Sequence, residues 1–125
     1  MSTTKFAIDL DGVITANPSA VAWLTYHLLK NENNHEVYVL TWRDGSDEAR
    51  VQETSEDLRR FGICYTKIIM APRKFKNMRV ACFWKVSQIR KLNAHIWIDD
   101  ELKAYKRDYG VDVQKLLPDT ILIGI

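Results

Sequence analysis

Apolar positions along the 125-residue chain gather into five short runs, and the stretches between them carry helical spacing. Residues 5–9, 36–41, 66–71, 94–99 and 120–125 are apolar on consecutive positions, as strands buried on both faces should be. Residues 17–31 read as a helix, with Asn17 at the N-cap and Pro18 in the first helical position. Val21, Leu24 and Leu28 then share one face. Residues 46–62 read as a second helix. It opens on Asp47 and Glu48, closes on Arg59 and Arg60, and stops at Gly62, a charge order that suits the helix dipole. Its apolar face is thin, which predicts a peripheral place. Residues 72–82 read as a loop, 83–92 as a third helix and 100–110 as a short fourth.

Strands alternating with helices predict an α/β fold: a Rossmann-like, doubly wound, mostly parallel five-stranded sheet with helices on both faces. The length suits a single domain spanning 1–125. In such sheets ligands bind beyond the carboxyl ends of the strands, so the residues ending each strand are the candidates for chemistry. The first strand runs into Asp9 and Asp11. The second ends in Thr41, followed by Trp42 and Arg43. The fourth ends in Asp99 and Asp100, then Glu101, and Lys85 is expected to open the helix before it. Four carboxylates, a hydroxyl and a lysine are thus brought to one edge. Gathered carboxylates make a hard-oxygen site suited to Mg²⁺, whose charge offsets their repulsion. On a regular strand Asp9 and Asp11, two apart, face the same way. One can then ionise, bind metal and attack, while the other, its pKa raised by its neighbour, holds a proton for a leaving group.

Composition narrows the reading. No apolar run approaches the ~20 residues of a membrane span, and Asp9 interrupts any signal-peptide core, so a cytoplasmic protein with no membrane partner is expected. Cys64 and Cys82 are too few for a disulfide framework or a zinc site. Net charge is +2, but Lys67 to Lys91 holds eight basic residues and no acidic one. Such a stretch is either a solvated surface or a seat for an anionic ligand. Arg73, Lys74 and Lys76, with Arg79, could meet the phosphates of a polynucleotide, with Phe75 stacking on a base.

A receiver domain shares the α/β plan but places its acidic pair, phospho-acceptor and lysine in another order. The set DLDGVI, VLTWRD, Lys85 and IWIDDE instead resembles the haloacid dehalogenase superfamily, on all four of its sequence motifs in order, from Phe6 to Ile125. The stretch from Trp84 to Gly110 is similar to small phosphatase-like members found in bacteria and their phages. The resemblance implies a Mg²⁺-dependent phosphatase. Asp9 would be the nucleophile that forms an aspartyl-phosphate, and Asp11 the general acid and base. Thr41 would bond the phosphoryl group and Lys85 would neutralise its charge. Mg²⁺ would be held by Asp9, the backbone carbonyl of Asp11, Asp99 and Asp100. Arg43 would either bind substrate phosphate or pair with Asp44 or Glu101. Trp42 would either stack on a substrate ring or pack. Neither residues 12–35 nor 72–82 hold the cap domain that many relatives carry, so the site is expected to be open. Open access suits a large substrate such as a phosphorylated nucleic-acid end or a phosphoprotein, with a nucleotide or small metabolite as the competing substrate; alternatively a homo-oligomer's second subunit serves as lid. The competing expectations are a non-catalytic binding module with the same fold and a phosphotransferase.

Overall fold

A computed structural model describes residues 3–30 and 34–125. The described chain runs β1 (Lys5–Asp9), α1 (Pro18–Lys30), β2 (Glu36–Asp44), α2 (Glu48–Arg60), β3 (Lys67–Ala71), α3 (Met78–Leu92), β4 (Ile96–Asp99), α4 (Leu102–Tyr109), α5 (Val113–Leu116) and β5 (Ile121–Gly124). All five strands are parallel, in the order β3-β2-β1-β4-β5. The fold is thus the expected Rossmann-like α/β sheet, and no cap domain interrupts the described residues.

Alternation along each strand sends side chains to two cores. Ile8, Val37, Val39 and Ile98 pack with Val21 of α1 and Leu58 of α2. Ala7, Leu40 and Trp97 pack on the other face with Cys82, Val86 and Ile89 of α3 and Tyr105 of α4. The outer strand β5 departs from the buried pattern: Ile121 and Ile123 are exposed, because it lies at the sheet edge. No described helix is long and apolar enough to cross a membrane.

Four local departures from the sequence reading move functional residues. β1 stops at Asp9, and Leu10–Ile14 form a wide turn closed by the Thr15 N–H donating to the Leu10 carbonyl at 3.1 Å. Gly12 sits there at φ +93°, a conformation favouring glycine. Asp9 and Asp11 therefore do not share a strand face. β2 runs three residues past Thr41, carrying Trp42, Arg43 and Asp44 within the strand. α3 begins at Met78, five residues before the expected start, because the Asn77 side chain caps it by accepting from Val80 N–H at 2.9 Å. Lys85 is consequently about two turns inside α3 rather than at its opening. Asn17 does precede α1, but its side-chain amide donates to the Val13 carbonyl instead of accepting from the first turn. Asn31, the expected end of that helix, lies outside the described residues.

Candidate active site

The chain lays β1, β2 and β3 outward on one side of the sheet and then crosses to β4 and β5 on the other. The strand order reverses between β1 and β4, which is where open α/β sheets place ligands. Ile8 is in register with Ile98, so Asp9 and Asp99 follow side by side at this switch point. Asp9 is 5% exposed and Asp99 is fully buried. Asp100, the next residue, is exposed, and one carboxylate oxygen from each of the three aspartates lies within 4.8 Å of the others.

Burying two carboxylates requires a counter-charge. Lys85, also fully buried, supplies it. Its Nζ donates to Asp9 Oδ1 at 2.8 Å and to Asp99 Oδ2 at 3.0 Å. The Glu101 backbone N–H donates to the remaining oxygen, Asp99 Oδ1, at 2.9 Å. Three carboxylates against one ammonium still leave an excess of negative charge. Burial pushes the Asp9 carboxyl up to about 8; Lys85 opposes the rise, and neighbouring Asp99 and Asp100 add to it. An all-oxygen acidic set with unspent negative charge fits a hard divalent cation such as Mg²⁺. The triad Asp9, Asp99 and Asp100 could hold one. Gly12 lies directly against it: a Cβ there would collide with the Asp100 carboxylate.

Asp11 is not in this triad. Its side chain is 54% exposed and accepts from Arg43 Nε at 2.9 Å and Nη2 at 2.8 Å, a bidentate pair. Spacing left open which of the two aspartates is the one pushed up; here the Arg43 guanidinium holds Asp11 below the usual carboxylate range, and Asp9 is the group pushed up. The reason is the turn after Asp9, which carries Asp11 away from its neighbour and towards β2. Arg43 is buried and is anchored from α2, where Asp57 accepts at 2.8 Å and Thr54 at 3.3 Å. Its partners are thus Asp11 and Asp57, not Asp44 or Glu101. Asp57 and Thr54 had no signal in the sequence, since nothing local ties α2 to a residue eleven or fourteen positions earlier.

Thr41 is buried at the end of the β2 pairing with β1, and its hydroxyl accepts from the Arg43 backbone N–H at 3.2 Å. Trp42 donates its indole N–H to the Ala81 carbonyl at 2.9 Å, and its ring contacts both Lys85 and Tyr105. Arg73, Lys74 and Lys76 are exposed on the loop between β3 and α3, at the carboxyl edge of the sheet. Phe75 packs against Trp84, with ring centroids 5.5 Å apart.

No protein-family model matches the sequence, and no curated protein matches it. A chain in the solved structure of the Pnkp1/Rnl/Hen1 RNA repair complex is similar in fold, with a TM-score of 0.62 and 18% identity. The match covers 98% of this chain and 43% of that one. At that identity the likeness supports the fold and nothing finer. The molecule is therefore an α/β protein with a candidate acidic cation site at its topological switch point.

Proposed function

We propose that this protein is a Mg²⁺-dependent phosphomonoester hydrolase working through Asp9. The observation that carries the reading is Lys85, wholly buried, bridging Asp9 and Asp99 beside Asp100 at the switch point. A scaffold gains nothing from clustered buried carboxylates, which cost stability unless a charge meets them. The same placement disfavours a pure binding module.

In the proposed reaction an Asp9 carboxylate oxygen attacks the phosphorus. The bond to the leaving oxygen breaks, and a proton on Asp11 passes to that oxygen. Water then attacks the aspartyl-phosphate, its proton returns to Asp11, and inorganic phosphate leaves with Asp9 restored. Bound Mg²⁺ would supply positive charge for Asp9, Asp99, Asp100 and the phosphoryl oxygens. Lys85 holds Asp9 in place and meets charge on the transferring group. Thr41, just beyond the last β1–β2 pair, would offer its hydroxyl to the phosphoryl oxygens. Asp11, ionised while paired with Arg43, would turn from the guanidinium, regain an ordinary affinity for a proton, take one from solvent and deliver it to the leaving oxygen. Arg43, freed of Asp11 in that state, could take a substrate oxygen.

The substrate reading favoured here is a phosphorylated nucleic-acid end. Arg73, Lys74 and Lys76 stand exposed at the site's edge of the sheet, within a run of eight basic and no acidic residues. The fold neighbour belongs to a complex described as one of RNA repair, which agrees with that reading. The test is phosphate release with Mg²⁺ by wild type and Asp9→Asn on 4-nitrophenyl phosphate, mononucleotides and oligonucleotides phosphorylated at the 3′ or 5′ end. Release that needs both Mg²⁺ and Asp9 supports the reaction, and preference for oligonucleotides, weakening as salt rises, supports the substrate. Activity that survives in Asp9→Asn would overturn the mechanism. Binding to oligonucleotides that is flat in salt would overturn the role of the loop.

A further inference from the structure

The ammonium of Lys85 has three N–H donors, and the two carboxylates take two of them. Among the described residues no third oxygen accepts from it. What lies there is the Trp42 ring, whose centroid is 4.3 Å from Nζ. A cation over an indole face is attracted by the ring's quadrupole, most strongly where water is excluded, and Lys85 is fully buried.

The indole is itself fixed. Its N–H donates to the Ala81 carbonyl at 2.9 Å. Ala81 is one helical turn before Lys85, and its carbonyl is the one a regular helix pairs with the Lys85 backbone N–H. Trp42 is thereby tied to the segment of α3 that carries the lysine. Its ring also stacks on Tyr105 of α4, with centroids 5.9 Å apart and planes 18° off parallel. Tyr105 in turn meets the edge of Trp97, two residues before Asp99 on β4. An aromatic layer thus runs beneath the charged cluster from β2 to β4.

We infer that Trp42 is a positioning residue that holds the Lys85 ammonium over its ring and so aims it between Asp9 and Asp99, rather than a surface on which substrate stacks. Its kinetic consequence rests on the proposed phosphatase reaction; its structural one does not. Three things follow. Substrate affinity is independent of the ring, because the ring acts through Lys85. An aromatic replacement keeps the function and an aliphatic one loses it. The effect also disappears when Lys85 is absent.

Two measurements test this on the full chain. The first is NMR of the Lys85 side chain in wild type, Trp42→Phe and Trp42→Leu. Protons held over a ring face are shielded, so the Lys85 terminal CH₂ and ammonium signals are expected well upfield in wild type, largely upfield in Trp42→Phe, and near ordinary lysine positions in Trp42→Leu. Unshielded Lys85 signals in wild type would overturn the proposal, and this arm needs neither activity nor a variant. The second is turnover of 4-nitrophenyl phosphate with Mg²⁺. Trp42→Leu should lower kcat roughly 5- to 30-fold, the range expected for a desolvated cation–π contact, with KM unchanged. Trp42→Phe should stay within about 3-fold of wild type. In a Lys85→Met background Trp42→Leu should cost nothing further. A rise in KM alone, or equal losses with and without Lys85, would overturn the proposal. If wild type releases no phosphate from any substrate while Lys85 is shielded, the phosphatase reading fails and the placement of Lys85 by Trp42 stands.

Discussion

Replacing Lys85 by Met removes the one ammonium that meets Asp9 and Asp99 while keeping an apolar side chain of similar length in its channel. Lys85 is fully buried and makes two charge-assisted hydrogen bonds, at 2.8 and 3.0 Å. Removing one partner of a buried ion pair costs about 3–5 kcal/mol, because the remaining charge is left without compensation. For a domain of this size that is a fall in Tm of roughly 10–20 °C. The loss must also depend on pH. Asp9 is pushed up to about 8 even with the lysine beside it, and it moves higher once the lysine is gone. A carboxyl whose folded pKa exceeds its unfolded value of 3.8 adds stability that is complete below the unfolded value and lost as pH rises through the folded one. The deficit of Lys85→Met against wild type should therefore stay level from pH 5 to pH 7, where Asp9 is protonated in both folded proteins, and widen above pH 8, where only the wild-type carboxyl has ionised, measured by urea unfolding without divalent cations. Added Mg²⁺ should recover more stability in the variant than in wild type, since the cation takes over the missing charge. A variant as stable as wild type, or a deficit that does not grow between pH 7 and pH 9, would refute the reasoning that Lys85 neutralises this cluster.

In wild type without a divalent cation, the Asp9 contribution should likewise decline from pH 5 to pH 8, and saturating Mg²⁺ should flatten that decline; Tm against pH in EDTA and in Mg²⁺ reads both slopes. Arg43→Met should cost about 2–4 kcal/mol at pH 7, because it leaves Asp57 of α2 with the exposed Arg60 as its remaining partner and frees Asp11. Asp11 is held below its unfolded value, so the part of its stabilisation present above that value is lost as pH falls through the folded one; acid titration of unfolding should show this limb in wild type and not in Arg43→Met. Gly12→Ala forces a Cβ onto the Asp100 carboxylate at a φ of +93°, which should cost about 1–3 kcal/mol and remove most of the Mg²⁺-dependent rise in Tm while the far-UV CD spectrum stays that of wild type.

Much of the fold is written in local pattern. Consecutive apolar positions mark β1, β2 and β4 because those strands are covered on both faces, and Pro18 and Gly62 mark helix boundaries because each answers to backbone sterics nearby. The start of α3 was hidden inside the basic run 72–82 read as loop, where the cap that opens the helix, Asn77, falls. The short helix α5 is a single turn, too brief for periodicity to register.

The sequence by itself determined the sheet and the ends of β1 and β4, and hence the aspartates gathered there, because a buried parallel sheet needs apolar runs and brings its acidic residues in where those runs stop. Tertiary structure decided how those residues divide. The turn after Asp9 sends Asp11 to Arg43, and the crossover to β4 brings Asp99 beside Asp9 from ninety residues away. The helix register of α3 drops Lys85 between them, over a tryptophan from β2. Spacing along a chain cannot show which of two nearby aspartates meets a cation, because that depends on desolvation and on charges that arrive from distant strands and helices.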